Sequence, residues 1–178
     1  MTVTIRPASS SDIPALRKLI DASVRGLSND YYTTAQVEAA LVEIFGVDSQ
    51  LIADGTYFVA EIDDQLAGSG GWSKRKTLFG GDQSKGASAD DLLNPETDAA
   101  RIRAFYVHPM WSRRGIGAKL ISVCEAAARN AGFRRIELVA TLPGVPLYSA
   151  NGYRKVKDAP IEIAGAPPLG AFLMAKDL

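Results

Sequence analysis

"FYVHPMWSRRGIGAKL", residues 105–120, carries the reading of the whole chain. Phe105, Tyr106 and Val107 are aromatic or β-branched and read as a strand end, which Pro109 stops. Arg113, Arg114, Gly115 and Gly117 form a basic glycine turn. From Gly115 to Asn130, Ile116, Leu120, Cys124 and Ala127 or Ala128 repeat at helical spacing, and Gly132 suits a C-terminal cap. A helix start leaves backbone N–H groups unpaired and carries about half a positive elementary charge, so it attracts anions. Glycines at 115 and 117 let a ligand reach the backbone, and the two arginines add charge-assisted donors. Such a site suits a pyrophosphate. It is not a P-loop, because Ala118-Lys119-Leu120 stands where Gly-Lys-Ser/Thr is needed, and no G-x-G-x-x-G fingerprint is present. On these residues alone, a capped strand-to-helix turn explains the stretch equally well.

Outward from this stretch, periodicity separates the elements. "TVTIR" (2–6) alternates as a strand, and Ile13, Leu16, Leu19, Ile20 and Val24 place a helix over 8–24. A second helix covers 33–45, with Thr33 and Gln36 at capping-box spacing. "TYFVAEI" (56–62) and "LAGSGGW" (66–72) flank Asp63, Asp64 and Gln65 as a hairpin, whose Gly68, Gly70 and Gly71 mark a bulge or a close backbone approach. The polar stretch 74–99 reads either as a substrate-side loop or as a surface insertion. Strands follow at 101–107, 135–142, 154–163 and 171–177, with a short segment "PGVPLYSANGY" at 143–153. The order β, α, α, β, β, β, α, β, α, β, β predicts a mixed α/β sheet flanked by helices.

Composition sets limits. With 178 residues, 47% of them hydrophobic, the chain reads as one domain spanning 1–178. Twenty basic residues balance twenty acidic ones, so no global field draws it to nucleic acid or an anionic membrane. The single cysteine, Cys124, excludes an intrachain disulfide and a multi-cysteine zinc site. No metal is expected, and without a visible signal peptide or long apolar span the expected location is cytoplasmic.

"RIRAFYVHPMWSRRGIGAKL" (101–120) followed by "PLYSANGY" (146–153) resembles the GNAT superfamily of acyl-CoA-dependent N-acetyltransferases. That family carries a strand ending V-x-P, a Q/R-x-x-G-x-G/A loop, a helix, a strand and then "fYeklGF". The element order over nearly the whole chain is similar too. Phrases such as "ADGTYFVAE" and "ATLPGVPLYSANGY" resemble one bacterial-type subgroup whose substrate the sequence does not name.

The resemblance implies a GNAT-type fold with a central sheet of six to seven strands, splayed between the fourth and fifth. It implies acetyl-CoA as co-substrate, its pyrophosphate wrapped by Arg113, Arg114, Gly115, Ile116, Gly117 and Ala118. Backbone groups of Phe105, Tyr106 and Val107 would hold the pantetheine arm and the thioester carbonyl. Tyr148 would protonate the departing thiolate, with a core aromatic as the alternative. Two positions depart from the family: Ser112 stands where glutamine or arginine is usual, and Thr141 where asparagine often contacts the cofactor arm.

No general base stands out among Glu61, Glu96, Asp98, Glu137 and the lone His108. Asp30, Tyr31, Tyr32 and Trp72 are candidates to line an amine pocket, Asp30 as the partner of a cation. Three functions remain open: acyl transfer to a small-molecule amine by direct attack in a ternary complex, acetylation of a protein lysine or N-terminus, and non-catalytic acyl-CoA binding. Apolar "IEI" and "FLMA" near the C-terminus leave homodimerisation open.

Overall fold

A computed structural model of the chain describes residues 1–86 and 90–178. The elements run β1 (Thr4–Pro7), α1 (Ile13–Leu27), α2 (Thr34–Glu43), α3 (Ser49–Ala53), β2 (Tyr57–Ile62), β3 (Gln65–Ser73) and β4 (Ala100–Val107). They continue through α4 (Ile116–Asn130), β5 (Arg135–Thr141), α5 (Val145–Ala150), β6 (Arg154–Asp158), β7 (Ile161–Ile163), β8 (Ala166–Leu169) and β9 (Ala171–Asp177). Seven strands form one sheet in the order β1-β2-β3-β4-β5-β9-β6, and β7 and β8 form a separate hairpin. All neighbours are antiparallel except β4 and β5. The mixed sheet and its break between the fourth and fifth strands are as the sequence leads one to expect.

Alternation along β2 divides the core. Tyr57 and Val59 pack with Leu16, Ile20 and Val37 of α1 and α2, while Ala60 and Ile62 pack with Ile116 and Leu120 of α4. Helices therefore cover both faces. The β2–β3 turn is two residues long, and Asp63 and Asp64 both adopt positive φ, 49° and 60°, as a tight hairpin with right-handed strand twist requires.

β4 is bulged. Ser69 pairs with Tyr106 and Gly71 with Arg103, so three steps on β4 oppose two on β3. The extra residue is taken up at Ala104, which adopts φ 55°. Glycine makes this fit possible: a Cβ on Gly70 would lie 2.5 Å from the Phe105 ring. The buried Tyr57 hydroxyl lies 3.0 Å from Ser69 Oγ and 3.3 Å from the Ala104 carbonyl oxygen, holding the bulge from below. β4 and β5 then pair only at Ala100↔Ile136 and Arg101↔Glu137, where the Arg101 guanidinium is salt-bridged to Glu137. Past that point β5 pairs only with β9, and β4 parts from it.

Residues 74–86 are tied down by charge. Asp48, fully buried before α3, accepts from the equally buried Arg103 of β4 and from Lys85, and caps α3 through Leu51 N–H at 3.3 Å. Arg103 Nη1 also lies 3.5 Å from Asp90, and Arg75 forks onto Asp54 at 2.7 and 2.9 Å.

The C-terminal region departs from expectation. A single strand over 154–163 is expected, but Pro160 cannot continue the ladder. β6 stays on the sheet, while β7 and β8 fold onto α2, where Gln36 Nε2 donates to the carbonyls of Pro167 at 3.3 Å and Pro168 at 3.1 Å. Ile161, Ile163 and Met174, among the residues that leave homodimerisation open, are buried within the chain itself. The exposed sheet edge β6 carries Arg154, Lys155 and Lys157, charges that discourage strand addition.

Asp48→Ala strands Arg103 in the interior with its carboxylate partner Asp90 3.5 Å away, and should cost about 3–5 kcal/mol of stability in urea denaturation. Asp91→Ala, which breaks the exposed pair with Lys76, should cost under about 1 kcal/mol.

Candidate active site

Where β4 and β5 part, a cavity of about 870 Å³ opens between them. Its lining joins the end of β4, the end of β5, the start of α4, α5, the α1–α2 link and Leu78 to Gly80. The direction of the β4 backbone follows from one bond. His108 N–H donates to Ala67 O of β3 at 2.9 Å, so by strand alternation Val107 and Phe105 turn their amide groups the other way, into the gap. Ser23 of α1 confirms this for Val107, whose N–H it accepts at 3.2 Å. Tyr106 differs from expectation: it is paired with Ser69 of β3, and it contributes its ring, set edge-on to Phe45 at 6.5 Å.

The start of α4 is shaped for an anion. Arg113 and Gly115 both adopt positive φ, 61° and 80°, curling the chain just before a helix of fifteen residues. No side chain caps this helix, so the first-turn N–H groups of Ile116, Gly117 and Ala118 face a cavity to which all three residues contribute. Gly117 lets α5 pack closely, because a Cβ there would lie 2.8 Å from Leu147 Cδ2 and push that side chain aside. Arg113 lines the cavity; Arg114 instead stacks over the Trp111 ring at 5.1 Å. Ser112, unusual beside the family pattern, donates its hydroxyl to Pro109 O at 2.9 Å and closes the turn after β4.

Tyr148 and Thr141 both line the same cavity. The Tyr148 ring packs edge-on against Phe105 at 6.2 Å and Tyr153 at 5.8 Å. Burial pushes its phenol well above the usual range, so it stays protonated at neutral pH. Of the other titratable candidates, Glu96 does not line the cavity and the remaining four are engaged elsewhere. His108 Nδ1 accepts from Met110 N–H at 3.2 Å, Glu61 binds Arg6, Glu137 binds Arg101, and Asp98 accepts from Asn94 N–H at 2.7 Å. Cys124 is fully buried on the inner face of α4, and burial raises its thiol far above neutrality. Among the described residues, Asp30 is the one carboxylate on the cavity lining.

Of the acceptor-side candidates, Asp30 and Tyr31 lie on the rim. Tyr32 points inward: its hydroxyl donates to Gly170 O at 2.6 Å and accepts from Leu142 N–H at 2.9 Å, stitching the α1–α2 link to the end of β5 and the β8–β9 turn. Trp72 does not reach the cavity; it is buried on the α4 side of the sheet, edge-on to Phe133 at 6.0 Å. Sequence reasoning missed Phe45, Leu78, Phe79 and Arg103, which also line the space. The length of the 74–99 stretch is the only local sign of the middle two.

The family profile described as "Acetyltransferase (GNAT) family" matches residues 21–153. A GCN5-related N-acetyltransferase from Rhodopseudomonas palustris superposes with a TM-score of 0.71 at 22% identity, covering 100% of this chain and 97% of that one. The PaiA N-acetyltransferase from Thermoplasma acidophilum, solved with coenzyme A, gives 0.69 at 16% identity, covering 100% of both chains. The yncA protein from Salmonella typhimurium, solved with acetyl-CoA, gives 0.65 at 16% identity, with 100% and 95% covered. No curated protein sequence matches significantly. Among the described residues, no helix is long and apolar enough to cross a membrane.

Proposed function

The chain belongs to the acetyltransferase (GNAT) family, and from that premise we propose that it transfers the acetyl group of acetyl-CoA to a primary amine of a small molecule, by direct attack in a ternary complex. One observation carries the reading. An uncapped helix start, two inward-turned strand amides and a protonated tyrosine share one cavity. These residues fit the donor. Backbone N–H groups of Ile116, Gly117 and Ala118, with the Arg113 guanidinium, suit its pyrophosphate. The Val107 carbonyl, whose N–H is taken by Ser23, and Thr141 suit the pantetheine arm, and Phe105 N–H suits the thioester oxygen.

When bound, acetyl-CoA supplies an activated acyl carbon. As the amine nitrogen bonds to that carbon, Phe105 N–H meets the charge that gathers on oxygen; a fixed donor of this kind is worth about 3 kcal/mol. Tyr148 then gives its phenolic proton to the sulfur as the C–S bond breaks. The ammonium of the acceptor loses its proton beforehand, to Asp30 on the rim or to solvent. No enzyme thiol is needed, in keeping with the buried Cys124.

Closure of the acceptor side favours a small molecule over a protein. Tyr32 bonds the α1–α2 link to Gly170 and Leu142, Gln36 bonds α2 to Pro167 and Pro168, and Ile161 of the β7–β8 hairpin held in this way borders the cavity.

Two outcomes follow. Tyr148→Phe should lower kcat roughly 10²-fold with unchanged affinity for CoA, and the wild-type kcat should hold to about pH 10, because burial keeps the phenol protonated. Thiol release across a pH series measures both. In calorimetry, Arg113→Ala should weaken CoA binding about tenfold and Arg114→Ala distinctly less, since only the first lines the cavity.

A further inference from the structure

The acceptor half of the cavity has its own chemistry, and it specifies more than an amine. Away from α4 the apolar part of the lining is Leu27, Tyr31, Phe45, Leu78, Phe79 and Tyr106, and the polar side chains beside it are Ser23, Ser28, Asn29, Asp30 and Arg103. Tyr31 and Phe79 are 47% and 37% exposed, two of the few large apolar side chains that the fold leaves open to solvent. Both border the same space, and Phe45 and Tyr106 meet edge-on within its wall.

Charge on this half is sparse. Asp30 sits on the rim, and Arg103 is the sole cation of the acceptor-side lining among the described residues. Arg103 is not available to a carboxylate. Its Nη2 is salt-bridged to Asp48 and lies 3.4 Å from Gly80 O, and its Nη1 faces Asp90 at 3.5 Å. Lys85 is salt-bridged to Asp48 as well, so two aspartates already balance two cations. A third carboxylate would meet the field of Asp48 and Asp90, and the Arg103 donors left to it, Nε–H and one Nη1–H, are buried beside those two aspartates.

Resting on the acetyl-transfer reading, we infer that the acceptor is a primary amine with an apolar, uncharged body, of the arylalkylamine kind, and not an amino acid. Asp30 attracts its ammonium, and Phe79 and Tyr31 close over its apolar body. The neutral amine adds to the acyl carbon, the nitrogen gives up one proton to solvent, Tyr148 protonates the thiolate as the C–S bond breaks and then regains a proton from solvent, and the products are an N-acetyl amide and free CoA thiol.

The matched pair 2-phenylethylamine and phenylalanine isolates the carboxylate, because the two share body and amine. Thiol release with acetyl-CoA should give a kcat/KM at least about tenfold higher for 2-phenylethylamine. Phe79→Ala should raise KM for it about tenfold with little change in kcat, and Asp30→Asn should raise the same KM without changing CoA affinity. Calorimetry of 2-phenylethylamine with the CoA complex should show the same Phe79 dependence, a readout independent of turnover. If phenylalanine, glutamate or a lysine peptide is acetylated as well or better, the apolar acceptor is wrong while acetyl transfer stands. If CoA binds and no amine is acetylated, acetyl transfer itself is wrong, and the acceptor inference goes with it.

Discussion

β4 and β5 stop pairing after two residues, and the rest of the site depends on that break. A strand inside a sheet spends its N–H and C=O groups on its neighbours. One whose neighbour departs leaves them to be met in another way, at about 1–3 kcal/mol for each buried group left unmet. Here the break is held by opposing constraints. The Arg101–Glu137 pair keeps one end shut, while the Ala104 bulge and the fidelity of β5 to β9 keep the other end open. Ser23 meets Val107 N–H, and Phe105 N–H is turned into the same gap.

Around this opening the packing is close where a ligand's surroundings must be stiff. Gly68 lets the Ile116 side chain of α4 approach β3, Gly117 lets α4 approach Leu147, and Gly70 lets Phe105 lie flat across its neighbour. The α4 N-terminus is thereby fixed at the mouth of the parted strands, with its dipole aimed at whatever enters. On the acceptor side charge does the fixing. Asp48 sits where α3, β4 and the 74–86 segment meet and bonds to all three, so the loop that lines the cavity is held by the strand it lines.

Much of this was legible in the sequence because its signals are local. The helix start at Gly115 to Ala118 and the glycines of β3 announce themselves within a few residues, whereas Tyr148 is singled out only by the resemblance to the family. Other features do not. α3 is five residues long, too short for periodicity to register, and exists because Asp48 caps and anchors it. Ile161 and Ile163 alternate identically whether they pair with β9 or with β8, and only Pro160 hints at the break. The Asp48, Lys85, Asp90 and Arg103 cluster spans more than fifty residues of chain and is created by folding alone. Tyr31 and Tyr32 are neighbours of equal promise, and backbone geometry sends one to the rim and the other into a hydrogen-bonded seam. Trp72 is a strand aromatic whose face no pattern specified.

The central claim is that backbone groups of β4 and α4 hold the acyl donor at the parted strands. Amide resonances of Phe105, Ile116, Gly117 and Ala118, followed by ¹⁵N-edited NMR as CoA is added, test it most directly. All four should shift together and saturate with one dissociation constant, while amides of β6 and β8 hold still. Saturable binding that leaves those four amides unmoved would contradict the account.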